Sequence, residues 1–357
     1  MHYHGRVTLL KWVAALSLTL SLTGSAADLQ STGPLAFGPN ATLFVGDSTS
    51  AAVFAFDTGD RAPAPAARLD IPSLDAKVAA LLSTSPDQIR IHDLKVNPIS
   101  KSVYLSISRG RGPDAIPVIL RVAPNGRITE VPTGRASSKV DLPGIPAAPR
   151  SRLRTNNRQL AITDLAFAQG QLIVAGLSNE EFSSHLRTIP YPFRASNPGA
   201  KVEIYHTSHL IYETDSPVRT FLPFTIANET YLLAGYTCTP LVKFRLRDLK
   251  PGAQIQGATI AELGRHNSPL DMIAYHKEGH DYLLVANTAR GVLKLSADNL
   301  ARYPAITAAT YSDQQELPIQ KVSGLRGVVQ LEKLDDQSAL ILVAGTEGLH
   351  LRTIPLP

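Results

Sequence analysis

Residues 231–244 read YLLAGYTCTPLVKF, and they contain the only cysteine of the chain, Cys238. An apolar run from Tyr231 to Ala234 ends in small and polar residues, and a second apolar run follows Pro240. Two short apolar runs separated by such a corner are typical of adjacent antiparallel β-strands. The stretch therefore predicts two paired strands, with Cys238 at the corner between them and not inside a buried strand.

The same pattern recurs along the chain, and internal repetition is the strongest guide to architecture. Its six copies are TLFVGD (42–47), SVYLSIS (102–108), QLIVAGLS (171–178), YLLAGYT (231–237), YLLVANT (282–288) and LILVAGT (340–346). A strand with a turn precedes each copy, and a third strand follows it. A weaker fourth strand follows in several units. Antiparallel units repeated around an axis predict an all-β fold with little helix: a six-bladed β-propeller with four strands per blade, or seven blades as the alternative.

Several segments depart from the repeat. Residues 72–85 (PSLDAKVAALLSTS) predict one short helix with Ser73 as its N-cap. Residues 132–160 and 179–200 read as long insertions. The innermost strands of a propeller line a central channel, and we expect the second insertion to fold over the mouth of this channel. The last unit stops after its third strand, so we expect residues near 28–32 to complete it and close the ring.

The first residues have the composition of a signal peptide. Arg6 and Lys11 lead into an apolar run that is too short to cross a bilayer, and the small residues that follow allow cleavage after Ala27. We expect residues 1–27 to be a signal peptide and residues 28–357 to be one exported propeller domain, periplasmic or extracellular, with no membrane span. The single cysteine excludes an intramolecular disulfide. The low aromatic content, 6%, argues against a nucleic-acid partner.

The hairpin TLFVGDSTSAAVFAFDTGD (42–60) and its repeats resemble the broad group of NHL-, YVTN- and lactonase-like propellers, over essentially the whole chain after the predicted signal. The resemblance implies an exported member of this group that binds ligands at one face. At that face the starts of the inner strands meet the corners between second and third strands, including Ser178-Asn179 and Thr237-Cys238. The predicted ligand-binding residues are Asp93, Asp164, Asp271, Arg326, Asn287, Arg290, Cys238 and His92.

Asp93, Asp164 and Asp271 recur at the starts of inner strands, and such carboxylates repel one another unless a cation intervenes. One interpretation neutralises them with arginines, namely Arg219, Arg290 and Arg326. A second places Ca²⁺ or another divalent cation among oxygen ligands of Asp93, Asp164, Asp271 and Asn287. A third is structural, with each aspartate bonded to backbone amides of the next blade. The sequence leaves these interpretations open.

Cys238 is interpreted as a small packed side chain, because no sequence pattern supplies a histidine to activate its thiol. His206 and His209 follow a strand of the third unit, and we interpret them as surface residues, with a pocket wall formed together with Glu213 as the alternative.

Two functions compete. The favoured one is a non-catalytic monomer that presents a polar and acidic channel face to a protein, glycan or small-molecule ligand. The alternative, which the resemblance implies, is a divalent-metal-dependent hydrolase whose metal polarises an ester or lactone carbonyl and activates water. A quinone-dependent dehydrogenase is rejected, because the only tryptophan, Trp12, lies in the predicted signal peptide.

Overall fold

The computed structural model describes residues 1–2, 25–26, 29–147, 157–264, 266–308 and 317–357. Six mainly antiparallel sheets in these ranges form the blades of a β-propeller, which confirms the predicted fold class. The residues predicted as a signal peptide lie almost entirely outside the described ranges. None of the described helices has the length and apolar character needed to cross a bilayer.

The strands, in chain order, are β1 (Ser25–Ala26), β2 (Leu35–Phe37), β3 (Thr42–Asp47), β4 (Ala52–Asp57), β5 (Asp70–Ile71), β6 (Ile89–Val96), β7 (Val103–Arg109), β8 (Ile116–Val122), β9 (Ile128–Glu130), β10 (Arg135–Ala136), β11 (Ser138–Asp141), β12 (Asp164–Ala168), β13 (Gln171–Leu177), β14 (Ser184–Pro190), β15 (Ala200–His206), β16 (Ile211–Glu213), β17 (Val218–Ile226), β18 (Glu229–Tyr236), β19 (Pro240–Arg245), β20 (Gln254–Gln256), β21 (Ala258–Glu262), β22 (Pro269–Lys277), β23 (His280–Asn287), β24 (Gly291–Ser296), β25 (Ile319–Lys321), β26 (Val328–Lys333), β27 (Ser338–Gly345) and β28 (Gly348–Pro355). The α-helix α1 spans Leu74–Leu81, and single 3₁₀ turns span Pro39–Ala41, Pro86–Gln88, Gly112–Asp114, Asn157–Leu160, Leu246–Asp248 and Leu300–Arg302.

Blades 1 to 6 are numbered by the chain order of their inner strands, β2, β6, β12, β17, β22 and β26. Blade 2 runs β6-β7-β8-β9, blade 4 runs β17-β18-β19-β21, and blade 5 runs β22-β23-β24-β25. Blade 3 is larger: β12 to β16 follow one another, and β20 pairs in parallel with β15. Blade 3 is therefore the irregular member of the ring.

Ring closure differs from the prediction made for residues 28–32. The last blade takes its outer strand from β5, which pairs with β28 through Ile71 and Leu351. Blade 1 takes its outer strand from β11, inside the segment 132–160 that reads as an insertion. The segment expected to close the ring is tied elsewhere: the backbone N–H of Gln30 donates to Asp47 Oδ2 at 2.8 Å.

The order of blades around the axis also differs from their order in the chain. Inner strand β2 lies against β6 on one side and β12 on the other, and β6 lies against β26. Blade 2 therefore stands between blades 1 and 6, and the ring reads 1-3-4-5-6-2. Apolar clusters fill the spaces between neighbouring blades, for example Leu94 with Leu342 between blades 2 and 6.

The segment 179–200 does not cover the channel. Its central part is β14, the third strand of blade 3, which pairs with β13 along its length. The aromatic rings that follow, Tyr191 and Phe193, pack against Phe44 with centroids 4.9 and 5.7 Å away. Partial burial of these apolar side chains between blades 1 and 3 holds the segment within the ring.

Helix α1 forms where the sequence predicts it and packs against β28, with Leu74 and Val78 fully buried. Ser73 precedes it in a left-handed conformation, with φ of 48°, and makes no side-chain cap. The nearby carboxylate of Asp75 instead accepts the backbone N–H of Leu349 at 3.0 Å, which attaches the helix to the last blade.

Candidate functional site

The three recurrent aspartates occupy equivalent positions on alternate blades of the ring. Asp93 lies on blade 2, Asp164 on blade 3 and Asp271 on blade 5, each one residue before a buried apolar residue of its inner strand. The equivalent positions of the intervening blades 1, 4 and 6 hold Pro34, Thr220 and Gln330. Because the ring reads 1-3-4-5-6-2, an aspartate stands at every second inner strand.

Each of these carboxylates accepts two backbone amides. Asp164 Oδ1 accepts the N–H of Leu165 at 2.8 Å, and Oδ2 accepts the N–H of Phe221 on the following blade at 2.7 Å. Asp93 accepts the N–H of Leu94 and that of Leu35 on the neighbouring blade, both at 2.7 Å. Asp271 accepts the N–H of Met272 at 2.8 Å and that of Leu331 on the neighbouring blade at 2.7 Å. This geometry is the structural alternative from the sequence analysis, in which each aspartate links neighbouring blades.

A lysine lies among the channel carboxyl groups. Lys95 Nζ is 3.4 Å from Glu332 Oε2 and 3.8 Å from Asp93 Oδ1. Burial raises the pKa of Asp164 to about 7, of Asp271 to about 6 and of Glu332 to about 7. Burial opposes the charge of Lys95, but the surrounding carboxylates outweigh it and raise its pKa. The channel therefore holds its own cation.

Sequence reasoning missed Lys95 and Glu332, although a signal was available. Lys95 follows Asp93 by two residues, and residues two apart on a strand share one face. Two of the arginines predicted as counter-ions are exposed, unlike Lys95. Arg326 precedes β26, and Arg219 lies beside a β-bulge. Burial raises the pKa of Asp93, and Lys95 opposes this rise more strongly than Arg219 does.

Two other predicted ligand-binding residues, Asn287 and Arg290, contact residues close to the β23–β24 corner. Asn287 donates to the carbonyl of Val285 at 2.9 Å and accepts from Asn267 Nδ2 at 2.8 Å. Arg290 packs over Gly264, whose φ is +97° and where a Cβ would lie 2.1 Å from the guanidinium carbon. The structure thus gives Asn287 a structural partner within blade 5.

His92 occupies a β-bulge beside Asp93. Its Nε2 lies 2.6 Å from Ser108 Oγ, and burial lowers the pKa of the imidazole to about 4. His92 is therefore neutral at pH 7 and supplies no charge to the channel.

Cys238 lies in a cluster that the sequence repeats do not reveal. Its Sγ and one ring nitrogen each of His206 and His209 all lie within 4.8 Å of one another, a metal-ligating group among the residues that the structure describes. Glu213 Oε1 is 2.9 Å from His206 Nδ1 and also contacts His209 Nδ1. The cluster joins the outer hairpin of blade 3 to the β18–β19 corner of blade 4.

A polar cleft opens at the β13–β14 corner of blade 3, on the face where the sequence analysis placed ligand binding. Its volume is 460 Å³, and it is lined by Pro146, Ala147, Asn157, Ser178, Asn179, Glu180, Ser183 and Asp215. Glu180 forms an ion pair with Lys201 at 2.5 Å, which lowers the pKa of Glu180. The lining therefore combines hydroxyls, side-chain amides and carboxylates.

A buried cation lies beside the cleft. Arg187 is fully buried, and its Nη2 donates to the carbonyl of Pro143 at 3.2 Å. Its Nε and Nη1 have no hydrogen-bond partner among the described residues, and burial lowers its pKa to about 10. Glu180 is the acidic group that opposes this shift, so Glu180 connects the cleft with the buried guanidinium.

Comparison with known proteins assigns neither a family nor an activity to this chain. No protein-family model and no curated protein matches the chain. Similar solved structures include the apo form of a soluble aldose sugar dehydrogenase from Escherichia coli, 12% identical, covering 92% of this chain and 97% of that one with a TM-score of 0.38. At this identity and score, the likeness assigns no activity to this chain.

Two further neighbours are equally distant. The β-propeller domain of Cps50 (Swd1) from Myceliophteria thermophila is 12% identical, covering 91% of this chain and 84% of that one, with a TM-score of 0.39. A streptogramin B lyase is 9% identical, covering 93% and 96%, with a TM-score of 0.34. The non-catalytic expectation and the rejected dehydrogenase both stay untested.

Proposed function

We propose that this propeller is a binding protein whose ligand is a glycan held in the cleft of blade 3. The cleft lining carries the proposal: Ser178, Asn179, Ser183 and Asn157 supply both donors and acceptors, and Asp215 adds an acceptor. Sugar hydroxyls donate and accept at once and match such a surface. The volume of 460 Å³ also falls within the usual range of ligand pockets, about 300–1,000 Å³.

The channel offers a ligand fewer free hydrogen-bonding groups than the cleft does. Both oxygens of Asp93, Asp164 and Asp271 accept backbone amides, and Lys95 partly balances the remaining charge. A ligand or hard cation would have to use the remaining lone pairs of oxygens that already accept one amide each, beside the ammonium group of Lys95. This is why we favour binding at the cleft over a hydrolase that uses the channel carboxylates.

The test is calorimetric titration of the purified protein with a panel of neutral oligosaccharides. Asn179→Ala and Asn157→Ala each remove one side-chain amide from the cleft, so we expect binding to weaken about tenfold per substitution, equivalent to about 1.4 kcal/mol. Asn125→Ala, in a turn of blade 2, is the matched control and should leave binding unchanged.

A channel variant separates the two sites. Asp164→Asn should leave glycan affinity within twofold of wild type if the protein remains folded. Loss of affinity in Asp164→Asn, together with unchanged affinity in Asn179→Ala, would return the ligand to the channel and refute the cleft proposal. A panel that contains no binder at all would also refute the glycan assignment.

A further inference from the structure

The junction of blades 3 and 4 brings three metal-ligating side chains together from two separate segments. His206 ends β15, and His209 lies in the tight turn to β16, where the N–H of Leu210 bonds to the carbonyl of His206 at 2.9 Å. Cys238 comes from the β18–β19 corner of the next blade. The three ligand atoms lie within 4.8 Å of one another, so small side-chain movements would place them around one ion.

Glu213 sets the orientation of both imidazoles. Its Oε1 contacts Nδ1 of His206 and of His209, and its Oε2 accepts the hydroxyl of Ser216. As a carboxylate, Glu213 can only accept hydrogen bonds. Both histidines must then carry a proton on Nδ1, which leaves the Nε2 lone pairs available as ligands. Metal-binding histidines commonly have such a carboxylate behind them.

The Nε2 atom of His206 is buried against a hydroxyl. It lies 3.3 Å from Thr239 Oγ1, and that hydroxyl donates to Glu262 Oε2. The side chain of His206 is 1% exposed. A neutral His206 would therefore hold a buried lone pair against an oxygen lone pair, an arrangement that an electrophile at this position would relieve.

The donor set identifies the class of ion. One thiolate and two imidazoles suit Zn²⁺, which takes sulfur at about 2.3 Å and nitrogen at about 2.0–2.1 Å in a tetrahedron. Ca²⁺ and Mg²⁺ prefer oxygen ligands and do not fit. The side chain of His209 is 53% exposed, so an ion can enter from solvent.

We propose that His206, His209 and Cys238 bind a zinc ion at the junction of blades 3 and 4, with Glu213 as the outer partner of both imidazoles. The ion joins the outer hairpin of blade 3 to the corner of blade 4. This site is independent of the cleft and does not rest on the glycan proposal. Binding replaces the thiol proton of Cys238 with the metal, so zinc affinity should decrease as the pH is lowered.

The test uses the full-length chain after dialysis against a chelator. Titration with Co²⁺ should produce a thiolate-to-cobalt charge-transfer band that saturates at one equivalent and disappears when Zn²⁺ is added. Cys238→Ser should lose the band, and His209→Ala, at an exposed position where folding is not at risk, should also lose it. Glu213→Gln should keep the band and weaken affinity about 10–100-fold.

A matched control distinguishes this site from surface histidines. His276 and His280 are exposed and bonded through Nδ1 to Asp281 and Asp298. The variant H276A/H280A should bind Co²⁺ like wild type. The proposal fails if wild type binds neither Co²⁺ nor Zn²⁺, if bound Co²⁺ shows no charge-transfer band, or if Cys238→Ser retains the band.

Discussion

The central channel and the blade 3–4 junction are both buried polar regions, but their polar atoms are satisfied in different ways. In the channel, backbone amides occupy both oxygens of each aspartate, and the pattern recurs on every second blade. At the junction, His206, His209 and Cys238 occur once, and His206 Nε2 faces a hydroxyl that donates to Glu262. Recurrent polar groups here hold the repeats together, whereas the group that occurs once is left with unused ligand capacity.

The largest effect that tests this contrast is expected from Lys95→Met. Lys95 is the cation closest to Asp93 and Glu332, and the loss of one partner from a buried ion pair costs about 3–5 kcal/mol. Urea unfolding above pH 8, where the carboxyl groups are ionised, measures the change in free energy. Lys139→Met, which breaks a surface pair with Asp141, is the control and should cost less than about 1 kcal/mol. An equally small loss in Lys95→Met would show that the channel needs no internal cation.

A smaller loss is expected from Asp164→Ala. The substitution leaves the amides of Leu165 and Phe221 without their acceptor, at about 1–3 kcal/mol each, and relief of repulsion among the carboxylates offsets part of this, giving a net loss of about 2–3 kcal/mol. Neither chelator nor added metal should change the value. Asp336→Ala, at an exposed position, should stay within about 0.5 kcal/mol of wild type. A destabilisation of Asp164→Ala that appears only when metal is present would restore the cation site in the channel.

The blades were predictable from the sequence because strand periodicity and turn residues are local properties. The ring order was not, because nothing in the local pattern of β5 or β11 specifies which distant edge they join. β5 has two residues, yet it completes a blade that begins more than 250 positions later. Long-range edge pairing of this kind depends on the packing of the whole ring.

The candidate site also has parts that the sequence predicts and parts that it does not. Register in the repeats located Asp93, Asp164 and Asp271 correctly on the inner strands, but spacing cannot show which amides a carboxylate meets. His206 and His209 were interpreted as surface residues, which is wrong for His206, whose side chain is 1% exposed. Cys238 lies about 30 positions further along the chain, so no local pattern indicates that the three are close. Their proximity requires blades 3 and 4 to be neighbours and the β15–β16 turn to reach across. The sequence therefore indicates repeated positions more readily than contacts between unlike segments.

The smallest expected effect concerns pH and uses Asp164→Asn as the reference. Burial raises the pKa of Asp164 from 3.8 to about 7, so between these values the folded state binds more protons than the unfolded state. The free energy of unfolding must then increase as the pH falls through this window. His92 acts in the opposite direction, because its pKa is lowered from 6.5 to about 4 and protonation favours unfolding.

The difference between wild type and Asp164→Asn removes the contribution of His92, since both proteins contain it. Relative to the variant, wild type should gain about 1–2 kcal/mol of stability when the pH is lowered from about 7.5 to about 5.5. Urea unfolding at the two pH values measures this gain. If the two proteins change in parallel, Asp164 is ionised throughout, and its two amide bonds outweigh the burial of its charge. Such a result would make the channel aspartates permanent anionic links between blades, and would strengthen the contrast with the junction, where ligand capacity is unused.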